Sequence, residues 1–164
     1  MAKPPRPPGS PSRPPGRVRT FFVTSATWER RALFRSERMA RLFLKVLDTY
    51  RGQGAFSLHE FVLMPDHFHL LISVPPGVTV ERVMQLVKGG FSYRARKELG
   101  FAGEVWQRGF TDQYITSARE FELRRQYVRD NPVQARLVAR AEEYVYSSAH
   151  GSLGLDASPE HLSG

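Results

Sequence analysis

FVLMPDHFHLLISV (residues 61–74) holds two extended runs broken by Pro65-Asp66. Four residues of the second run, Phe68, Leu70, Ile72 and Val74, share one parity. His67, His69, Leu71 and Ser73 share the other. Period-two alternation marks a strand with one buried face, and a two-residue break marks an antiparallel hairpin. Val18–Ser25 is β-branched and aromatic and reads as an earlier strand, while Ala55–Met64 is the first arm of the hairpin. Between them Ser36 caps a helix to about Arg51, with Met39, Leu42, Phe43, Val46, Leu47 and Tyr50 at helical spacing. Thr79 caps a second helix over Val80–Leu99. An extended piece near Glu104–Phe110 and a strand at Asp112–Thr116 follow. Ser117 or Ala118 opens a third helix, which Asn131-Pro132 ends. The order β-α-β-β-α-β is that of a ferredoxin-like α+β fold: an antiparallel sheet with helices on one face and an extra C-terminal helix. Such a sheet leaves its second face open for a ligand.

The chain has 164 residues, enough for one domain with a real core. It contains no cysteine, which excludes disulfides, a thiol nucleophile and cysteine-based metal sites. No apolar run approaches the length of a membrane span, and Met-Ala-Lys-Pro-Pro is no secretory leader. A cytoplasmic, nucleoid-associated protein without a membrane partner is expected. Residues 1–17 carry seven prolines and four basic residues, the composition of a disordered Pro/Arg-rich tail. Residues 152–164 read as a flexible C-terminal tail. The net charge is +8, and six of those charges fall on the domain at 18–151. A basic, arginine-rich fold suits a polyanion such as nucleic acid.

Two segments bear chemistry. His67 and His69 lie two apart on a strand, about 7 Å between alpha carbons, so both imidazoles can converge on one cation. They can equally be two partly exposed histidines on a sheet. On the third helix Tyr127 and Asn131 are four apart and Arg124 is three before the tyrosine, one face of the helix. A phenol there is a plausible nucleophile toward a phosphodiester, or simply packs at the edge of the core. Tyr114 is its rival. Asp66 and Asp112 could orient a ligand histidine or a water.

Taken in order, the run 61–71 with Met-Pro-Asp-His-Phe-His, the Val105-Trp106-Gln107-Arg108-Gly109-Phe110 segment, Tyr127-Val128-Arg129-Asp130-Asn131-Pro132-Val133-Gln134-Ala135 and Tyr146-Ser147-Ser148 resemble the HUH-type single-tyrosine transposases. Within them the pattern is similar to the REP-associated tyrosine transposases. The resemblance spans about 18–151. Tyr146 stands where that family often has Trp, and Thr111, Ser117 and Ala118 depart from its usual residues.

The resemblance implies a metal-dependent transposase that binds single-stranded or hairpin DNA, such as REP-like palindromes. It would cleave and rejoin that DNA through a 5′-phosphotyrosine. Tyr127 would be the nucleophile, and His67, His69 and Asn131 would ligate a divalent cation, Mg²⁺ or Mn²⁺. Arg124, Arg125, Arg129, Lys88 and Arg94 are candidate phosphate contacts, and Trp106 a platform for an unpaired base. The chain would act as a monomer or a homodimer. A non-catalytic module for structured nucleic acid and a hydrolytic metallonuclease are the alternatives.

Overall fold

A computed structural model describes residues 16–162. The elements follow in the expected order: β1 Arg19–Ala26, α1 Glu37–Gly52, β2 Ser57–Met64, β3 His67–Val74, α2 Val80–Leu99, β4 Thr111–Ile115 and α3 Ala118–Gln134. Ser36, Thr79 and Ser117 each accept a backbone N–H from three residues on, from Met39, Arg82 and Glu120, and so start the three helices. Gly100, at φ 66°, ends α2 in the left-handed region that glycine adopts without strain. The strands form one sheet in the order β2-β3-β1-β4, every pair antiparallel. This is the split βαβ arrangement that the element order implied.

The alternation in β3 divides the molecule. Phe68, Leu70, Ile72 and Val74 face the main core with Phe34, Phe43, Leu47, Val83, Val87 and Phe91, supplied largely by α1 and α2. The opposite face carries Leu71, Phe22, Val62, Met64 and Ile115, and here α3 lies across the sheet with Phe121 and Val128. The second face is therefore not wholly open: α3 covers the part near β2. The helix also runs past Asn131-Pro132, where the sequence suggested a stop. Only the last turn lies beyond Pro132, so the missing N–H breaks one bond near the helix end, and Ala135 still donates to the Asn131 carbonyl. Residues 104–110 form no strand. They make one isolated bridge, Thr27 to Trp106.

In β2 the register shifts between Leu58 and Glu60, a bulge that turns both His59 and Glu60 toward the α3 face. The outer edge of β2 is covered by the chain's end. Leu63 N donates to Tyr146 O at 2.8 Å, Ser147 bridges Val62, and Asp156 N donates to Leu58 O at 2.8 Å. Residues 152–162, expected as a flexible tail, thus run back along the sheet and bury Leu162 in the α3-side core. Of the expected N-terminal tail, residues 1–15 fall outside the described residues. Among the described residues no helix is long and apolar enough to cross a membrane.

Phe68, between the two histidines in sequence, is fully buried on the opposite face, 5.0 Å from the Phe43 ring and 5.4 Å from Trp106. Phe68→Ala should cost about 3–5 kcal/mol of unfolding free energy, the usual cost for a core phenylalanine. Urea denaturation checks it, and a loss below about 1 kcal/mol would mean that the plug carries no weight.

Candidate active site

The alternation of β3 puts both imidazoles on the α3 face, with ring centroids 4.9 Å apart. Each ring is held at one nitrogen. Asp66 Oδ1 lies 2.7 Å from His67 Nδ1, and Thr24 Oγ1, directly across the β1–β3 ladder, lies 2.7 Å from His69 Nδ1. Both contacts leave Nε2 as the nitrogen for a further partner, the arrangement in which a neighbouring oxygen sets the ring of a metal-binding histidine. Burial holds the His69 imidazole far below its ordinary value, at about 3, with the nearby charges of His67, Arg124 and Arg30 acting in the same direction. His69 is therefore neutral at physiological pH, the state in which an imidazole can donate to a cation.

Tyr127 approaches from α3. Its ring centroid is 5.3 Å from His69 and 5.8 Å from Phe22, which itself stacks on His69 at 5.3 Å. Phe22 acts as an apolar shim beneath the phenol and the imidazole. Tyr127 is 45% exposed, so the phenol is open to a large substrate. Arg124 spreads its guanidinium over Phe22 at 4.7 Å and Tyr127 at 5.6 Å, and Gln113 Oε1 accepts from its Nε at 2.7 Å. Asn131 lies one turn beyond Tyr127, and its Oδ1 is buried without a hydrogen-bond partner. Among the described residues no cluster of three or more His, Cys, Asp or Glu could hold a metal. Imidazole nitrogens and an amide oxygen are nevertheless donor types that suit a divalent cation.

The other candidates sort differently. Trp106 is 9% exposed and packs on Phe34, Phe43, Phe68 and Phe91, while its Nε1 donates to Lys88 O at 2.9 Å. Its ring is taken up by the core, which leaves no face for a base. Lys88 Nζ donates to Gly109 O at 2.6 Å and Gln107 O at 3.3 Å, and burial lowers its amine to about 8. Its ammonium braces the 107–109 loop instead of reaching toward a phosphate. Arg94 pairs with Glu98 at 2.5 Å. These three belong to the α1/α2 layer, across the sheet from Tyr127. Arg125 and Arg129 turn inward to Glu60, at 3.4 Å and 2.8 Å. Tyr114 stands opposite Phe21 in the ladder, on the parity that faces away from His69. Tyr144 donates to Leu63 O at 2.6 Å, and burial raises its phenol to about 12.

Sequence reasoning missed Thr24 and Gln113. Strand parity could have signalled both, because each stands across from Phe22, His69 or their neighbours once the ladder register is known. It also missed Arg30, whose Nε lies 3.4 Å from Asp66 Oδ2, on a turn where Glu29 and Arg30 both take φ 54°. Two consecutive left-handed non-glycine residues are a strained feature of the kind found beside functional sites.

Unfolded, His69 would titrate near 6.5, and folded it stays neutral to about 3. Between those values the unfolded chain takes up a proton that the folded chain refuses, so stability falls as pH falls through that window. His59, also lowered chiefly by burial, acts in the same direction. Denaturation midpoints measured from pH 7 to 4 should drop in the wild type and drop less steeply in His69→Asn. Identical slopes would show that His69 is not held neutral.

The comparisons bear on family and fold. The profile of the family described as "Transposase IS200 like" matches residues 20–131. A Haemophilus influenzae protein named as a REP-associated tyrosine transposase is 24% identical over 119 residues, which cover 66% of this chain and 68% of that one. Among solved structures, a REP-associated tyrosine transposase bound to a REP hairpin superposes with a TM-score of 0.69 at 21% identity, over 98% of this chain and 93% of the other. A Deinococcus radiodurans protein described as a transposase gives a TM-score of 0.51 at 18% identity, over 76% and 95%. The matched residues contain His67, His69, Tyr127 and Asn131, and the chain belongs to the IS200-like transposase family.

Proposed function

We propose that the protein cleaves and rejoins single-stranded or hairpin DNA through a covalent bond between a DNA 5′ phosphate and Tyr127. The observation that carries this reading is the exposed Tyr127 ring 5.3 Å from His69, with both histidines held at Nδ1. His67 and His69, through Nε2, and Asn131, through its orphaned Oδ1, would hold a divalent cation, Mg²⁺ or Mn²⁺. Held there, a cation would supply Lewis-acid stabilisation of the charge that develops at the phosphate.

The chain's own residues do the rest. The phenol oxygen of Tyr127 attacks phosphorus. The new tyrosyl O–P bond forms as the P–O3′ bond breaks, the phenol proton leaves and the 3′ oxygen takes up a proton. Because the phosphodiester energy is kept in the tyrosyl ester, a 3′-hydroxyl can reverse the reaction without a nucleotide cofactor. Arg124 presents a fixed guanidinium beside the phenol, suited to a phosphate next to the one attacked. The related structure in complex with a REP hairpin supports hairpin DNA of that kind as the partner.

Incubation with Mn²⁺ and a labelled single-stranded hairpin, followed by a denaturing gel, should give a shifted protein–DNA band. Tyr127→Phe should abolish that band. Cutting without an adduct, unchanged in the variant, would identify a hydrolytic metallonuclease. Binding without cutting would identify a non-catalytic module. Thr24→Val, which removes the oxygen that sets His69, should weaken Mn²⁺ binding about 10- to 100-fold in calorimetry with the fold intact. Unchanged affinity would remove His69 from the donor set.

A further inference from the structure

Glu60 is fully buried, in the β2 bulge, and three groups converge on it. Arg129 Nη1 donates to its Oε1 at 2.8 Å, Ser148 Oγ donates to the same oxygen at 2.8 Å, and Arg125 Nε stands 3.4 Å from Oε2. Arg125 and Arg129 are one turn apart on α3, two residues to either side of Tyr127. Ser148 belongs to the Tyr-Ser-Ser stretch at the end of the domain, and its hydroxyl also accepts from Phe61 N at 3.1 Å. One buried carboxylate therefore ties three parts of the molecule together: the bulge, the closing segment and the helix that carries the phenol.

A hydrophobic seam does not explain how α3 is held. Of its 17 residues only Phe121, Val128 and Pro132 are buried. So thin a contact resists lifting of the helix but leaves its rotation and sliding weakly defined, because apolar contact is non-directional. A buried ion pair adds little net stability over an apolar substitute, whereas its hydrogen bonds are directional. The hydrogen bond from Arg129 and the ion pair from Arg125, one turn apart on a single carboxylate, together set the axial position and the rotation of α3. That rotation carries Tyr127 with it, since Tyr127 and Arg124 lie on the other flank of the buried seam, against His69 and Phe22.

We propose that Glu60 is a positioning residue: through Arg125 and Arg129 it fixes the orientation of α3 that aims Tyr127 at the His67–His69 pair. The inference rests on Tyr127 as the nucleophile, and it reassigns two arginines expected as phosphate contacts to an internal clamp.

The test has two readouts on the full chain, for wild type, Glu60→Gln and the double variant Arg125→Gln/Arg129→Gln, with Glu142→Gln as a surface control. The first is the ¹⁹F spectrum of 3-fluorotyrosine incorporated into the protein, with the Tyr127 resonance assigned by its loss in Tyr127→Phe. The second is the single-turnover rate of adduct formation beside the hairpin Kd. Expected are a shifted or broadened Tyr127 resonance in both clamp variants, a rate lowered at least tenfold and a Kd within about threefold of wild type. The control should match wild type in all three. An unchanged Tyr127 resonance in folded clamp variants would overturn the proposal. A Kd raised in step with the rate in the arginine variant, but not in Glu60→Gln, would overturn it too by returning the arginines to phosphate binding. Should Glu60→Gln fail to fold, the arginine variant decides alone, because its substitutions are at half-exposed positions. If the wild type forms no adduct, the catalytic reading fails while the ¹⁹F comparison still decides whether Glu60 sets the phenol.

Discussion

The pleat of β3 is the constraint on which the rest depends. This strand pairs with β2 on one side and β1 on the other, and adjacent residues point to opposite faces of the sheet. Phe68, Leu70, Ile72 and Val74 are locked into the α1/α2 core, so His67 and His69 must stand on the other face. A one-residue slip would exchange the two sets, placing imidazoles among Phe43, Phe91 and Trp106 and four apolar side chains beside Tyr127. The cost of burying two imidazoles without partners excludes that register. Core formation and the convergence of the histidines are the same event.

The two faces of the sheet are built by different means. The α1/α2 face is a continuous apolar core with a cluster of aromatic rings around Trp106. The α3 face joins a short apolar strip to polar contacts: the Glu60 clamp, the Thr24–His69 contact and the linked hydroxyls and imidazole of Thr20, Ser73 and His59. Polar contacts inside a protein are directional and costly to leave unmade. They suit a face where a few atoms have to be held in set positions, while the apolar face supplies most of the burial. The chain's end belongs to this second face as well, because residues 144–162 cover the edge of β2 and complete the surroundings of Glu60.

The same division fits the likeness to known structures. The REP hairpin-bound neighbour superposes over nearly the whole chain at only 21% identity. An alternation of apolar and polar residues survives many substitutions because hydrophobic side chains of similar volume replace one another at small cost.

Much of this molecule is legible in its residues taken in order. The helix caps at Ser36, Thr79 and Ser117, the hairpin at Pro65-Asp66, the parity that places His67 beside His69 and the helical spacing that places Tyr127 beside Asn131 all follow from local rules with periods of 2 and 3.6. What lay beyond reach was every fact that depends on which element packs on which. Charge and aromatic patterning offer Arg125, Arg129, Lys88 and Trp106 to DNA, since a sequence does not say whether an arginine meets water or a buried carboxylate. Only the packed sheet turns the first two inward to Glu60, turns Lys88 to loop carbonyls and draws Trp106 into the core. The third helix likewise outruns its proline because the broken bond falls near its end. By itself the sequence determined the strands, the helices and the faces that their side chains occupy, because those depend on neighbours along the chain. The tertiary structure alone decided that α3 crosses the histidine face and that Thr24 and Glu60 hold the groups around Tyr127, because those contacts join residues up to about ninety positions apart.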